Sequence, residues 1–68
     1  MKKYTGKVIR LVAHPRRLTL LGDDEYSRDF HFRKIDIELV RKFWGKKVCI
    51  TAHIRGTYRM LDMLEEIK

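Results

Sequence analysis

The clearest pattern in this sequence is an alternation of apolar and polar residues over residues 45–55. Every second residue from Val48 to Ile54 is apolar, while the residues between them are polar or small. A two-residue period is typical of a strand with one buried face and one exposed face. We therefore predict a strand here. The side chains on its outward face are those of Lys47, Cys49, Thr51, His53 and Arg55.

The first part of the chain predicts a hairpin. Residues 4–13 are rich in Val and Ile, and their adjacent apolar pairs favour a strongly coiled strand or a bulge, either of which would let both faces of the strand find cover. Residues 17–22 alternate and place Leu18 and Leu20 on one face. Pro15 lies between the two segments and favours a turn because its ring presets φ. The first two strands are therefore expected to pair.

A second turn and a third strand follow. Gly22, Asp23 and Asp24 favour a turn because glycine tolerates positive φ and aspartate hydrogen-bonds the local backbone. Residues 29–34 then alternate again, with two phenylalanines on one face and His31 on the other. The phenylalanines are predicted to lie in the core.

The spacing of apolar residues changes to that of a helix after residue 34. The residues with this spacing are Ile35, Leu39, Val40 and Phe43. Asp36 is suited to the N-cap, where its carboxylate can accept a hydrogen bond from a backbone N–H. Gly45 fits the position after the last turn. A short helix is therefore predicted between the third and fourth strands.

The C-terminal segment fits two structures. Thr57–Leu61 can form a strand, but the apolar residues of this segment also fit a helical spacing. Those residues are Met60, Met63, Leu64 and Ile67. We predict a strand through about Leu61 and a short helical end after it. A helix from Thr57 onward is the alternative.

Together these elements predict a single domain over residues 1–68, mostly β with one short helix, in the order β-β-β-α-β-β. This element order resembles that of the OB-fold, a five-stranded barrel that binds oligonucleotides. The resemblance concerns element order and no residue motif. We expect a small OB-like or SH3-like barrel with a short C-terminal helix. A sheet covered by a C-terminal helix is the alternative.

Size and composition argue against catalysis. A chain of 68 residues has a small core, which leaves little support for a deep cleft. Cys49 and His53 lie four residues apart on one predicted strand, roughly 13 Å, which is too far for one zinc ion. No paired carboxylates among apolar residues and no Gly-rich phosphate loop are present. We expect no enzyme, no cofactor and no metal site.

Cysteine content and apolar runs bear on location. A single cysteine is unusual for a small secreted domain, which favours a reducing, cytoplasmic compartment. The basic N-terminal segment lacks the apolar region of a signal peptide. No apolar run approaches the roughly 18 residues of a membrane span. We therefore expect a cytoplasmic protein without a membrane partner.

The net formal charge is +7, and it is distributed unevenly along the chain. Residues 1–22 contain six lysines and arginines and no acid, and residues 39–59 contain six more, again without an acid. Six acids lie between these segments, in residues 23–38. If the two basic segments meet in the fold, they form one positive face that suits a polyanion.

The candidate site consists of outward residues of the second, third and fourth strands, which would form one sheet face. They are cations, hydroxyls and imidazoles, with no acid among them. The residues are Arg17, Thr19, His31, Arg33, Lys47, Thr51, His53 and Arg55. We expect a small basic domain that binds nucleic acid, either DNA or RNA, through its phosphates. The alternative is a protein-interaction module, an accessory subunit or small inhibitor, that docks on an acidic protein partner.

Overall fold

Five strands and one helix make up the fold. The computed structural model describes residues 2–14, 16–33, 35 and 37–67. The elements are β1 (Lys2–Ala13), β2 (Arg16–Gly22), β3 (Ser27–His31), α1 (Ile37–Arg41), β4 (Lys47–Arg55) and β5 (Tyr58–Glu66). This is the predicted order, so the mostly β class with one short helix is confirmed. Two predicted features, the turn at Pro15 and the N-cap at Asp36, lie outside the described residues.

The strands form a closed barrel in the order β1-β2-β3-β5-β4, consistent with a small OB-like or SH3-like barrel. Neighbouring strands are antiparallel, except that β3 and β5 are parallel. The predicted hairpin of β1 and β2 is present. Its register shifts between Val8 and Arg10, within the segment for which a strongly coiled strand or a bulge was expected. None of the described helical residues belongs to a helix long and apolar enough to cross a membrane.

The core lies inside the barrel and follows the alternation of the sequence. From β4 it takes Val48, Ile50 and Ala52, each at most 1% exposed. Ile54, the last apolar residue of the alternation, is instead 64% exposed. The two phenylalanines predicted to be internal, Phe30 and Phe32, are buried as well. The remaining core residues are Val8, Leu18, Leu20, Val40 and Leu61. Because Val40 belongs to α1, the helix also contributes to this core.

The predicted C-terminal helix is wrong, because β5 continues as a strand to Glu66. It pairs with β4 along its length, which gives its backbone groups strand partners instead of helical ones. A register shift between β4 and β5 skips Asp62. Leu61 and Leu64, three residues apart, can therefore both pack toward the core. This bulge produced the spacing that imitates a helix.

The barrel closes at the middle of β1, where Gly6 pairs with Gly22 on β2 and with Val48 on β4. The backbone of β2 occupies the space that a side chain on Gly6 would need. An ideal Cβ there would lie 2.8 Å from the Cα of Gly22 and would overlap the carbonyl oxygen of Leu21. β1 can belong to both halves of the barrel because this position has no side chain.

Replacing Gly6 by alanine should therefore destabilise the fold. Overpacking typically lowers the free energy of unfolding by about 1–3 kcal/mol, and here backbone atoms must move. The control is Thr5→Ala on the same strand, for which we expect a loss below about 1 kcal/mol. Urea unfolding followed by circular dichroism measures both. Equal stability of Gly6→Ala and the parent would contradict the described closure.

Candidate functional site

A row of paired residues crosses four neighbouring strands on the outside of the barrel. Arg17 on β2 pairs with His31 on β3, and His31 pairs in turn with Met60 on β5. Met60 then pairs with His53 on β4. The row thus brings together residues of the second, third and fourth strands, as predicted, but β5 lies between β3 and β4.

The surface is concave along the seam between β3 and β5, where His31 and Met60 form the one described pair. A cavity of about 520 Å³ is lined by Arg16, His31, Phe32, Arg33, Tyr58 and Met60. A second cavity, of about 330 Å³, shares Arg33 and Met60 with the first and adds His53 and Arg55. A third, of about 420 Å³, shares His31 and Tyr58 with the first and adds Arg59.

Because the three cavities share lining residues, they adjoin one another and form one groove. We call it the seam groove. Its polar and aromatic lining residues are Arg16, Ser27, Arg28, Asp29, His31, Phe32, Arg33, His53, Arg55, Thr57, Tyr58, Arg59 and Asp62, with Met60 at the boundary of the first two cavities.

Arginines without a described acidic partner line the seam groove. Arg33 and Arg55 are exposed and form no ion pair with any described residue. Arg16 donates a hydrogen bond of 3.4 Å to the backbone carbonyl of Arg33. The carbonyl of Arg16 accepts from the N–H of Phe32, so the start of β2 is held beside the residues that follow β3. These contacts place several cations around one concavity.

The groove also contains two acids, so the expectation of an acid-free face is wrong. The Thr19 hydroxyl donates to Asp29 (2.6 Å), and a guanidinium nitrogen of Arg17 lies 3.9 Å from the same carboxylate. Both predicted residues are therefore partly occupied by Asp29, which lines the third cavity. Asp29 lies two residues before His31 in the predicted third strand, so alternation puts both on the same outward face. The predicted site nevertheless included only His31 and Arg33 from that strand.

The second acid, Asp62, orients His53. Its carboxylate lies 2.8 Å from the Nδ1 of His53. A carboxylate only accepts hydrogen bonds, so Nδ1 carries the proton, and in the neutral ring Nε2 is the acceptor. Asp62 is the residue that the pairing of β4 with β5 skips, at the β5 bulge. Its contact with His53 therefore depends on how these two strands pair.

Arg28, at the far end of the third cavity, is neutralised. Its guanidinium donates two hydrogen bonds to Asp24, at 3.2 and 2.8 Å. These bonds, with one from the Tyr26 N–H, hold the pKa of the Asp24 carboxyl below its usual value. The carboxylate therefore stays charged at neutral pH and keeps Arg28 paired. Arg28 is a weaker candidate for anion binding than the unpaired arginines.

Three buried side-chain nitrogens in the described residues have no hydrogen-bond partner, and all three lie in or beside the seam groove. They are the Nε of Arg17, the Nδ1 of His31 and the Nε of Arg59. An unsatisfied buried polar atom is unfavourable, and native proteins have few of them. The two arginine nitrogens are donors, so an added hydrogen-bond acceptor would be stabilising here.

The structure separates two predicted residues from the others. Lys47 pairs with Lys7 and lies 3.5 Å from Asp23, at the other end of β4. Its distance from Arg55 is eight residues of strand, roughly 26 Å. Thr51 faces Lys3 on β1 and Met63 on β5. Of the eight predicted residues, four therefore line the seam groove, two contact Asp29 in its lining, and two lie outside it. In that order they are His31, Arg33, His53 and Arg55; Arg17 and Thr19; Lys47 and Thr51.

Sequence reasoning missed Tyr58, Met60, Arg16 and Arg59 as members of the site. Tyr58, Arg59 and Met60 lie in the part of β5 that was predicted as a strand, but the prediction did not place that strand beside β3. Arg16 is next to the predicted Arg17, but it was predicted to lie in the turn between β1 and β2, where alternation does not indicate which way a side chain faces. The parallel contact of β3 with β5 joins residues far apart in the chain, and no local pattern encodes it.

Comparison with protein-family models, with curated proteins and with solved structures finds no match for this chain.

We predict that zinc does not change the stability of the fold. No group of three or more His, Cys, Asp or Glu among them could hold a metal ion. Cys49 pairs with Thr5 and Glu65, away from the groove histidines. We expect the melting temperature to stay the same when zinc is added or a chelator is present. A fall of several degrees with chelator would reveal a metal site.

Proposed function

We propose that this domain binds nucleic acid, mainly by contacting phosphates along the seam groove. The observation that carries the proposal is the set of arginines there without a described acidic partner, beside buried nitrogens that lack a hydrogen-bond partner. A guanidinium presents a planar fork of donors that matches two phosphate oxygens and keeps its charge at any physiological pH. Phosphate is therefore the acceptor that this lining fits best.

Such binding should depend strongly on salt. Each neutralised phosphate contributes about −0.7 to −0.9 to the slope of log K against log salt. Three or four arginine contacts then give a slope of about −2 to −3.6, which lowers the affinity roughly 15- to 150-fold between 50 and 200 mM salt. If no single-stranded, duplex or RNA oligomer binds at low salt, the proposal fails and an acidic protein becomes the favoured partner.

Alanine substitutions of the groove arginines test whether they contact phosphates, and a lysine outside the groove provides the control. We expect Arg33→Ala and Arg55→Ala each to weaken binding uniformly across sequences and to make the salt slope about one unit shallower. Both side chains are exposed, so the melting temperature should hardly change. Fluorescence anisotropy at several salt concentrations measures affinity and slope together.

Lys47→Ala is the control, because it removes one positive charge from the same strand as Arg55 but outside the groove. It should leave the salt slope nearly unchanged. If Lys47→Ala weakened binding as much as Arg55→Ala, affinity would arise from overall charge, and the groove would not be the site.

Removing a groove acid should have the opposite effect. Asp29→Asn releases Arg17 and Thr19 from a carboxylate and removes a negative charge from the lining. A unit charge at about 4 Å is worth roughly 1 kcal/mol in water, so affinity should rise about fivefold. Glu65→Gln, an exposed position on β5 outside the groove, should change affinity much less. An unchanged affinity for Asp29→Asn would place the phosphates elsewhere.

A further inference from the structure

We infer that the seam groove takes single-stranded rather than duplex nucleic acid, with a base stacked on Tyr58. This inference rests on the proposed function and adds the form of the ligand. The observations behind it are the exposure of Tyr58, its contact with His31, and the arginines that share its cavity.

Tyr58 is restrained and still accessible. Its ring meets the His31 imidazole edge to face, with 4.6 Å between ring centroids and 69° between the planes. The residue nevertheless remains 54% exposed. An aromatic ring that is already positioned loses little freedom when a ligand stacks on it, which favours binding. A solvent-exposed ring held by a neighbouring side chain is therefore well suited to receive a flat, apolar surface.

The chemistry around Tyr58 fits a nucleotide with a free base. Met60 adds apolar surface in the same cavity of about 520 Å³, and Arg16 and Arg33 line it as well. A base on the ring would thus have its flanking phosphates within reach of guanidinium groups. Basic grooves that combine cations with stacking aromatics are typical of proteins that bind single strands.

Duplex fits this site less well. Bases in a duplex are stacked on one another, and they reach an aromatic side chain only after extrusion, which is unfavourable. Reading a major groove requires a protruding helix or β-ribbon. The seam groove is instead concave, on a barrel of 28 × 24 × 16 Å, and α1 has five residues. A hairpin tip, such as the turn between β4 and β5, could enter a duplex groove, so a duplex is included among the competitors.

The experiment compares oligothymidine, oligouridine and a mixed-sequence duplex of equal length, about twelve nucleotides, within the range of single-strand sites. Each competes with labelled oligothymidine for the full chain at low salt, followed by fluorescence anisotropy. We expect at least one of the single strands to compete about tenfold more strongly than the duplex.

Variants of Tyr58 then test the stacking contact. Tyr58→Ala should weaken single-strand binding roughly 5- to 150-fold, the range for loss of one base–aromatic stack. Tyr58→Phe retains the ring and should bind within about twofold of the parent. Trp44→Ala is the matched control, because Trp44 is equally exposed at 53% but does not line the groove. Melting curves confirm that each variant is folded.

Each outcome separates this inference from the proposed function. If duplex competes as well as both single strands, or if Tyr58→Ala and Trp44→Ala have equal effects, the stacking inference is wrong. In that case binding that still weakens with Arg33→Ala preserves the phosphate site. If no oligomer binds at low salt, the proposed function fails and the inference fails with it.

Discussion

The rest of the structure depends on the close approach of β1 and β2 at Gly6. One strand must pair with β2 through its second half and with β4 through its first half, and Gly6 pairs with both neighbours. A side chain at this point would collide with the β2 backbone. Its partner on β2 is also a glycine, Gly22, so neither residue places a side chain between the two backbones. Without this contact the sheet could remain open, with free edges.

Closure also creates the seam that carries the candidate site. Once β1 joins β2 to β4, the barrel can close only by bringing β3 beside β5, and these two strands run parallel. Their described contact is the single pair His31–Met60, whereas the antiparallel neighbours pair over many residues. A short contact between strands leaves concave surface on either side. The groove and the closed core are therefore two results of one topology.

The sequence predicted those elements whose side-chain pattern is local. Clean alternation in β4 identified Val48 and Ile50 as core, and the change of period located α1. The prediction for the end of β5 was wrong because a bulge at Asp62 shifts the alternation of the strand. That bulge depends on pairing with β4. Only part of the candidate site could be predicted from the sequence, for a similar reason. Alternation shows which side chains face outward, and the eight residues between Lys47 and Arg55 already imply a separation of roughly 26 Å on one strand. The insertion of β5 between β3 and β4 follows from topology, which no local pattern encodes.

Charge segregation along the chain does not survive folding, and this determines where an anion can bind. Acids of the central segment pair with cations from both basic segments: Asp29 contacts Arg17, and Asp23 contacts Lys47. Near the C-terminus, Glu66 contacts Lys46. Each exposed pair adds little stability, because solvent screens it. Such a pair still lowers the local positive potential around both partners. The total of +7 therefore says less about binding than the positions of the cations that remain unpaired. Several cations form no ion pair with a described residue, lysines of β1 among them, and three of these cations, Arg16, Arg33 and Arg55, lie at the seam where the barrel has its shortest contact between strands.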